Sequence, residues 1–162
     1  MQEVVMGSYR ITRHIEAAPE QVFRAFTDPL LVTDWMEAAA LVDVTGPLDE
    51  RGSSYTLVIW GPWKFRTEVV RSEPHHLHET VARGPLGSGA RIVAMLAPRN
   101  GGTDLDLLTE YTVPFGPLGR WMDRRWIDKE PRPTANREVD RLVAIVSDPQ
   151  PILRHRRSMT SV

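Results

Sequence analysis

Four polar side chains in this sequence have types and positions suited to acid–base or carbonyl chemistry. They are Tyr55, Arg66, His78 and Tyr111, and each lies in a segment whose residues alternate as in a β-strand. A tyrosine or histidine in a cavity can polarise a carbonyl or move a proton, and a buried arginine can hold a carboxylate. We therefore predict these four residues as the catalytic candidates.

Arg66 also suits a structural position. With Glu68, Arg91 and Glu110 it stands at a mid-strand position, where opposite charges commonly pair across strands on a solvated sheet face. A shift of register by one residue would turn these side chains towards the cavity instead. The sequence leaves both orientations open, and the second one makes Arg66 a candidate.

Aromatic side chains form a second group of candidates. The chain has five tryptophans, a high number for 162 residues. Rings on a cavity wall suit a flat hydrophobic or aromatic ligand, although rings also serve ordinary core packing. The residues predicted to bind the ligand are Trp35, Trp63, Phe65, Trp121, Met122 and Trp126.

No metal or cofactor site is predicted. His76 and His78 are two residues apart on a strand and could share a metal, but the sequence nominates no third ligand. The absence of cysteine excludes disulfides, a cysteine nucleophile and thiolate metal sites. No phosphate-cradling glycine-rich loop, GxSxG or HExxH motif is present.

Alternating segments predict the sheet that positions these residues. Gly61-Pro62 and Asn100-Gly101 are favourable two-residue hairpin turns between such segments. Two short helices should begin at Pro19 and Pro29, because proline suits the first helical position, and Asp28 should cap the second helix. The predicted strands are 8–17, 41–44, 53–60, 63–70, 76–83, 91–97 and 103–113.

The segment 116–146 is the one stretch long enough for a major helix. Pro131 and Pro133 interrupt it, because proline inside a helix removes a hydrogen bond and clashes with the preceding turn. We predict helices at about 117–129 and 134–147. The first should gate the cavity, and the second should anchor in the core through Val139, Leu142 and Val146.

These elements predict an α+β fold in a single domain of residues 1–148. About seven antiparallel strands should form a curved sheet, with two short helices after the first strand and the C-terminal helical segment over the apolar face. Residues 149–162 form a basic tail that we expect to be disordered.

Charge and hydropathy restrict the partners. A formal net charge of −1 supplies no overall field for binding nucleic acid or an anionic membrane. No window approaches the ~20 apolar residues of a membrane span, and the N-terminus lacks a signal-peptide pattern. We expect a cytoplasmic monomer or homodimer whose partner is a hydrophobic or aromatic small molecule, without nucleic-acid binding.

Several short stretches match a known superfamily, namely residues 15–23, 26–29 with Trp35, 70–74, 102–103 and 114–119. Through them, residues 8–147 resemble the START-like, Bet v 1-like helix-grip superfamily (SRPBCC), in its bacterial polyketide cyclase/dehydrase and lipid-transport branch. The resemblance implies a helix-grip fold around a hydrophobic cavity. Because members include aromatase/cyclases as well as lipid and quinone carriers, activity has to be argued from the site.

The first functional hypothesis is a polyketide cyclase/dehydrase of bacterial secondary metabolism, whose cavity folds a flexible polyketone into reactive geometry. The first alternative is a non-catalytic carrier or sensor of a lipid, quinone or other hydrophobic ligand. The second alternative is a protein-interaction module of the toxin–antitoxin or chaperone-regulator type, which would work through its outer surface.

Overall fold

The computed structural model describes residues 5–36, 38–61, 63–113 and 131–147. The first strand is followed by two helices, six further strands and a C-terminal helix. The elements are β1 (Val5–Ile15), α1 (Pro19–Thr27), α2 (Pro29–Trp35), β2 (Ala40–Val42), β3 (Ser54–Trp60), β4 (Trp63–Glu73), β5 (Leu77–Arg83), a 3-10 turn (Pro85–Gly87), β6 (Gly89–Arg99), β7 (Gly102–Val113) and α3 (Pro131–Ser147).

The seven strands form one antiparallel sheet in the order β1-β7-β6-β5-β4-β3-β2. Strands β2 to β7 are a meander, and β1 closes the far edge beside β7. At the β6–β7 turn Asn100 and Gly101 both have positive φ, 50° and 77°, as a type I′ hairpin requires. The predicted α+β helix-grip fold with a curved sheet is confirmed.

Helices cover the inner face of the sheet. The side chain of Asp28 accepts a hydrogen bond from the amide of Leu30 at 3.0 Å, so it caps α2 as predicted. In α3, Val139, Leu142 and Val146 are buried in the main core cluster. The prediction that this aliphatic half anchors in the core is confirmed.

Helix α3 begins at Pro131, three residues earlier than the sequence pattern indicated. Pro131 and Pro133 therefore lie within its first turn, where the amide N–H groups have no intrahelical acceptor. The prediction of a start at residue 134 was wrong because it treated both prolines as helix breakers. The predicted helix at 117–129 and the tail 149–162 lie outside the described residues.

Polar contacts fix the helices to the sheet. Arg13 of β1 donates a hydrogen bond from Nη2 to Oδ1 of Asn136 in α3 at 2.9 Å. The buried hydroxyl of Thr103 donates to the carbonyl oxygen of Ala17, just before α1, at 2.8 Å. Within the ranges given above, no helix has the length and hydropathy needed to span a membrane.

Candidate functional site

An apolar cavity of about 140 Å³ lies between helices α1 and α2 and the inner face of strands β3 to β6. A dry apolar cavity of about 150 Å³ is large enough for benzene, so this space fits one six-membered ring. The residues that line it are Phe26, Val32, Trp35, Met36, Tyr55, Leu57, Ile59, Phe65, Thr67, His78, Thr80, Ala82, Ala90 and Ile92.

Strand alternation selects which side chains reach this cavity. Alternate residues of a strand project from opposite faces, and β3 pairs with β4 so that Tyr55 lies opposite Thr67 and Leu57 opposite Phe65. All four therefore project from the inner face. Strand β5 adds His78 and Thr80 by the same alternation.

His78 is the titratable imidazole of the cavity and is only 5% exposed. Burial lowers the pKa of His78 from 6.5 to about 4, and the negative charge of Asp49 offsets this only in part. Phe23 and Phe26 pack against the ring with centroid distances of 6.0 Å and 6.4 Å. His78 is therefore neutral at pH 7, with one ring nitrogen that carries a proton.

Tyr55 brings a second polar group to the same cavity. It is 4% exposed, and burial raises the pKa of its hydroxyl to about 12. The hydroxyl carries its proton at pH 7, as an ordinary tyrosine does, and can donate a hydrogen bond. Among the described lining residues, Thr67 and Thr80 supply two further hydroxyl groups.

Trp35 and Phe65, two of the predicted ligand-binding residues, line the cavity. Trp35 is held in place because its Nε1 donates to the carbonyl oxygen of Ala25 at 2.7 Å and its ring packs edge-on against Phe26. The ring of Phe65 packs so closely on Gly84 that a Cβ there would overlap it. Both side chains are thus fixed by contacts that leave one ring surface on the cavity.

Arg66 lies on the outer face, which corrects its prediction as a cavity group. Its Nη2 donates to the hydroxyl of Ser54 at 2.6 Å and its Nη1 to the carbonyl of Asp43 at 3.3 Å. The reason is that the adjacent residues, Phe65 and Thr67, project inwards.

Arg91 and its acidic partners also lie on the outer, solvated face of the sheet. Arg91 pairs with Glu79 at 2.6 Å and with Glu110 at 2.9 Å across β5, β6 and β7. Arg91 lies directly opposite Glu110 and diagonal to Glu79, and cross-strand pairs of this kind stabilise neighbouring strands from the outer face. None of these three residues lines the cavity.

The remaining predicted residues lie elsewhere. Tyr111 is on the inner face of β7, with its ring centroid 6.3 Å from that of Tyr9, and Trp63 is half-buried at the start of β4 opposite Trp60. Neither is part of the cavity lining. Trp121, Met122 and Trp126 lie outside the described residues.

Sequence reasoning missed much of the lining. Thr67 and Thr80 were not predicted, and neither were small residues such as Ala82 and Ala90. Alternation alone could have found Thr67, because it shares a face with Phe65. Ala82 and Ala90 carry no signal in a single sequence, since a small side chain makes space without marking it. No group of three His, Cys, Asp or Glu side chains in the described segments has metal-binding geometry.

Residues 6–147 match the profile of the family described as polyketide cyclase / dehydrase and lipid transport. A search of the curated proteins found no match. The family profile thus extends from the second residue of β1 to the end of α3 and includes the described residues of the cavity lining.

Solved structures share the architecture at low sequence identity. A Staphylococcus aureus protein of unknown function superposes with a TM-score of 0.72 at 14% identity, covering 89% of this chain and 95% of that chain. For Ara h 8.0201 the TM-score is 0.63 at 9% identity, with coverages of 88% and 98%.

DynU16, a protein in the dynemicin biosynthetic locus, has a TM-score of 0.56 at 21% identity, with coverages of 85% of this chain and 46% of that chain. The present chain thus spans about half the length of DynU16. At these identities the three likenesses show the fold.

Proposed function

Because the chain belongs to the family of polyketide cyclases/dehydrases and lipid-transport proteins, we propose that it binds a ring-sized hydrophobic ketone and promotes a cyclase-type reaction. The carbonyl oxygen of the ketone accepts hydrogen bonds from Tyr55 and His78. Membership of the family supports a hydrophobic ligand in general, and the apolar lining is consistent with one.

The observation that carries this proposal is that two uncharged hydrogen-bonding side chains face one small apolar cavity. Tyr55 comes from β3 and His78 from β5, so they approach the ligand from different strands. At pH 7 the phenol carries its proton, and burial keeps the imidazole neutral. A ligand that fills about 140 Å³ would touch both residues.

The chemistry follows from where charge develops. When a ketone in the cavity loses an α-proton to hydroxide or a buffer base from the solvent, the C–H electron pair enters a new carbon–carbon double bond and negative charge moves to the carbonyl oxygen. Hydrogen-bond donors at that oxygen stabilise the enolate more than the ketone, and the effect is larger away from water. The enolate carbon is the nucleophile of an aldol ring closure, and the cavity walls hold the reacting atoms together.

A carrier of a hydrophobic ligand is the second candidate. The observation that favours it is that no Asp, Glu, Lys or Arg stands among the lining residues in the part of the chain that the structure describes. A carrier needs this apolar space and no group that moves protons. The two candidates therefore differ in turnover and agree in binding.

Acetophenone tests both candidates, because it has one ring and an enolisable ketone. The binding affinity is measured first, and then the loss of the methyl-proton NMR signal in D₂O at a fixed buffer concentration. A cyclase-type site should accelerate this exchange, and Tyr55→Phe should slow it about a hundredfold or more, as loss of an oxyanion donor does. Arg66→Ala, on the outer face, is the matched control and should exchange at the wild-type rate.

Three results are possible in this experiment. Binding with faster exchange that depends on Tyr55 supports the cyclase-type proposal. Binding without faster exchange identifies a carrier. If acetophenone and other one-ring ketones do not bind, the assignment of the cavity as the ligand site is refuted.

A further inference from the structure

Ser72 and His78 each carry an unpaired polar atom, and the two residues lie on neighbouring strands beside the cavity. Ser72 Oγ and His78 Nδ1 are both enclosed, and neither has a hydrogen-bond partner among the residues described. Strands β4 and β5 place the two residues directly opposite each other. Opposed residues of an antiparallel pair project from the same face, with Cβ atoms about 4.5–5.5 Å apart. Rotation about χ1 of Ser72 therefore brings its hydroxyl within reach of Nδ1.

A β-bulge in β4 is what turns Ser72 towards the inner face. Before the bulge, the odd-numbered residues Thr67 and Val69 are buried. The register shifts between Val69 and Arg71. Beyond it Arg71 and Glu73 are exposed and form an ion pair at 2.8 Å, which leaves Ser72 on the face of His78. Bulges commonly re-aim a side chain beside a functional site.

We propose that Ser72 is a positioning residue for His78. The Ser72 hydroxyl donates a hydrogen bond to Nδ1 of His78 and holds the imidazole in the tautomer with its proton on Nε2. This tautomer presents an N–H donor to the cavity. The purpose of the contact rests on the proposed function, in which His78 donates to a ligand oxygen. Because the Nε2–H group is a donor, the ligand atom that meets it has to be a hydrogen-bond acceptor, such as a ketone oxygen.

The surroundings of the ring fit this arrangement. The edge-on contact with Phe23, at 6.0 Å between centroids, and the tilted contact with Phe26 restrict rotation of the imidazole. Because burial keeps the ring neutral, only one nitrogen carries a proton, and a partner at Nδ1 decides which one. Ser72 is the polar residue that the strand register places opposite His78.

The tautomer of His78 can be measured directly in the ligand-free protein. Two-bond ¹H–¹⁵N NMR correlations of the imidazole distinguish the two neutral forms, and His78→Gln assigns the signals among the five histidines of the chain. Wild type and Ser72→Thr, which keeps the hydroxyl, should show the Nε2–H form. Ser72→Ala should show a mixture or the Nδ1–H form. Ser54→Ala removes a serine hydroxyl from the outer face and should leave the tautomer unchanged.

The exchange assay adds a functional measurement. Ser72→Ala should slow acetophenone exchange about fivefold, the effect of one typical hydrogen bond, and Ser72→Thr should restore the rate. An Nε2–H tautomer that persists in Ser72→Ala would overturn the positioning role. If acetophenone does not bind wild type, the proposed function fails while the tautomer comparison still decides the role of Ser72. Should Ser72→Ala not fold, Ser72→Cys, a weaker donor of similar shape, gives the same comparison.

Discussion

Acid should destabilise the wild-type protein more than a variant that lacks the buried imidazole, His78→Gln. The pKa of His78 is about 4 in the folded protein, against the ordinary histidine value of 6.5. Below pH 6.5 the unfolded chain binds this proton and the folded chain does not, so the free energy of unfolding falls as the pH decreases from 6.5 to 4. Glutamine keeps a neutral hydrogen-bonding side chain at this position and removes the titration.

The magnitude follows from the shift in pKa. One pKa unit corresponds to about 1.36 kcal/mol, so wild type should lose about 2 kcal/mol relative to His78→Gln between pH 7 and pH 5, and about 3 kcal/mol by pH 4. Because His78 is only 5% exposed, solvent screening reduces this effect little. Other groups titrate equally in both proteins, so the difference between the two free energies of unfolding isolates the contribution of His78.

Urea unfolding of both proteins at pH 7, 6 and 5 measures this difference. His76→Gln is the control, since its side chain is exposed in the turn before β5, and it should keep the acid sensitivity that depends on His78. Parallel pH dependences for wild type and His78→Gln would refute the conclusion that the imidazole is buried and neutral.

Three further predictions test the core, the cavity and the outer face. Leu142→Ala should lower the free energy of unfolding by about 2–5 kcal/mol, because removal of the fully buried side chain leaves a cavity in the main core. A loss below about 1 kcal/mol in urea titration would contradict this packing. Ala90→Leu should fill the ligand cavity and abolish acetophenone binding without lowering Tm, and tight binding that persists in calorimetry would place the ligand elsewhere. Arg91→Gln breaks two ion pairs of a side chain that is 43% exposed. The free energy of unfolding should therefore fall by only about 0–1 kcal/mol, and by less at high salt. A larger loss that does not depend on salt would show that these pairs are not screened.

The adjacent residues Phe65 and Arg66 show what a strand pattern can predict and what it cannot. Adjacent residues on a strand face opposite sides, so these two residues could not both reach the cavity. The alternation over 63–70 was clear, but which face was covered depended on where helices α1 and α2 pack. That packing placed Phe65 inside and left Arg66 to bind Ser54 and Asp43.

Ser72 shows a different limit. Its local sequence continues the alternation of β4, and that alternation alone would put it on the outer face. The bulge beyond Val69 reverses the phase and sets it opposite His78. A bulge arises from how two strands fit together, so the register of β4 against β5 decides it.

Sequence patterns were enough to predict the order of the described strands and helices, the hairpin turn at Asn100-Gly101 and the aliphatic anchor of α3. Each of these depends on local propensity or on a periodic pattern within one segment. That Tyr55 and His78 face one cavity and Arg66 does not became known from the packing of the helices on the sheet. Burial, and with it the pKa of His78, depends on side chains that are distant in the sequence.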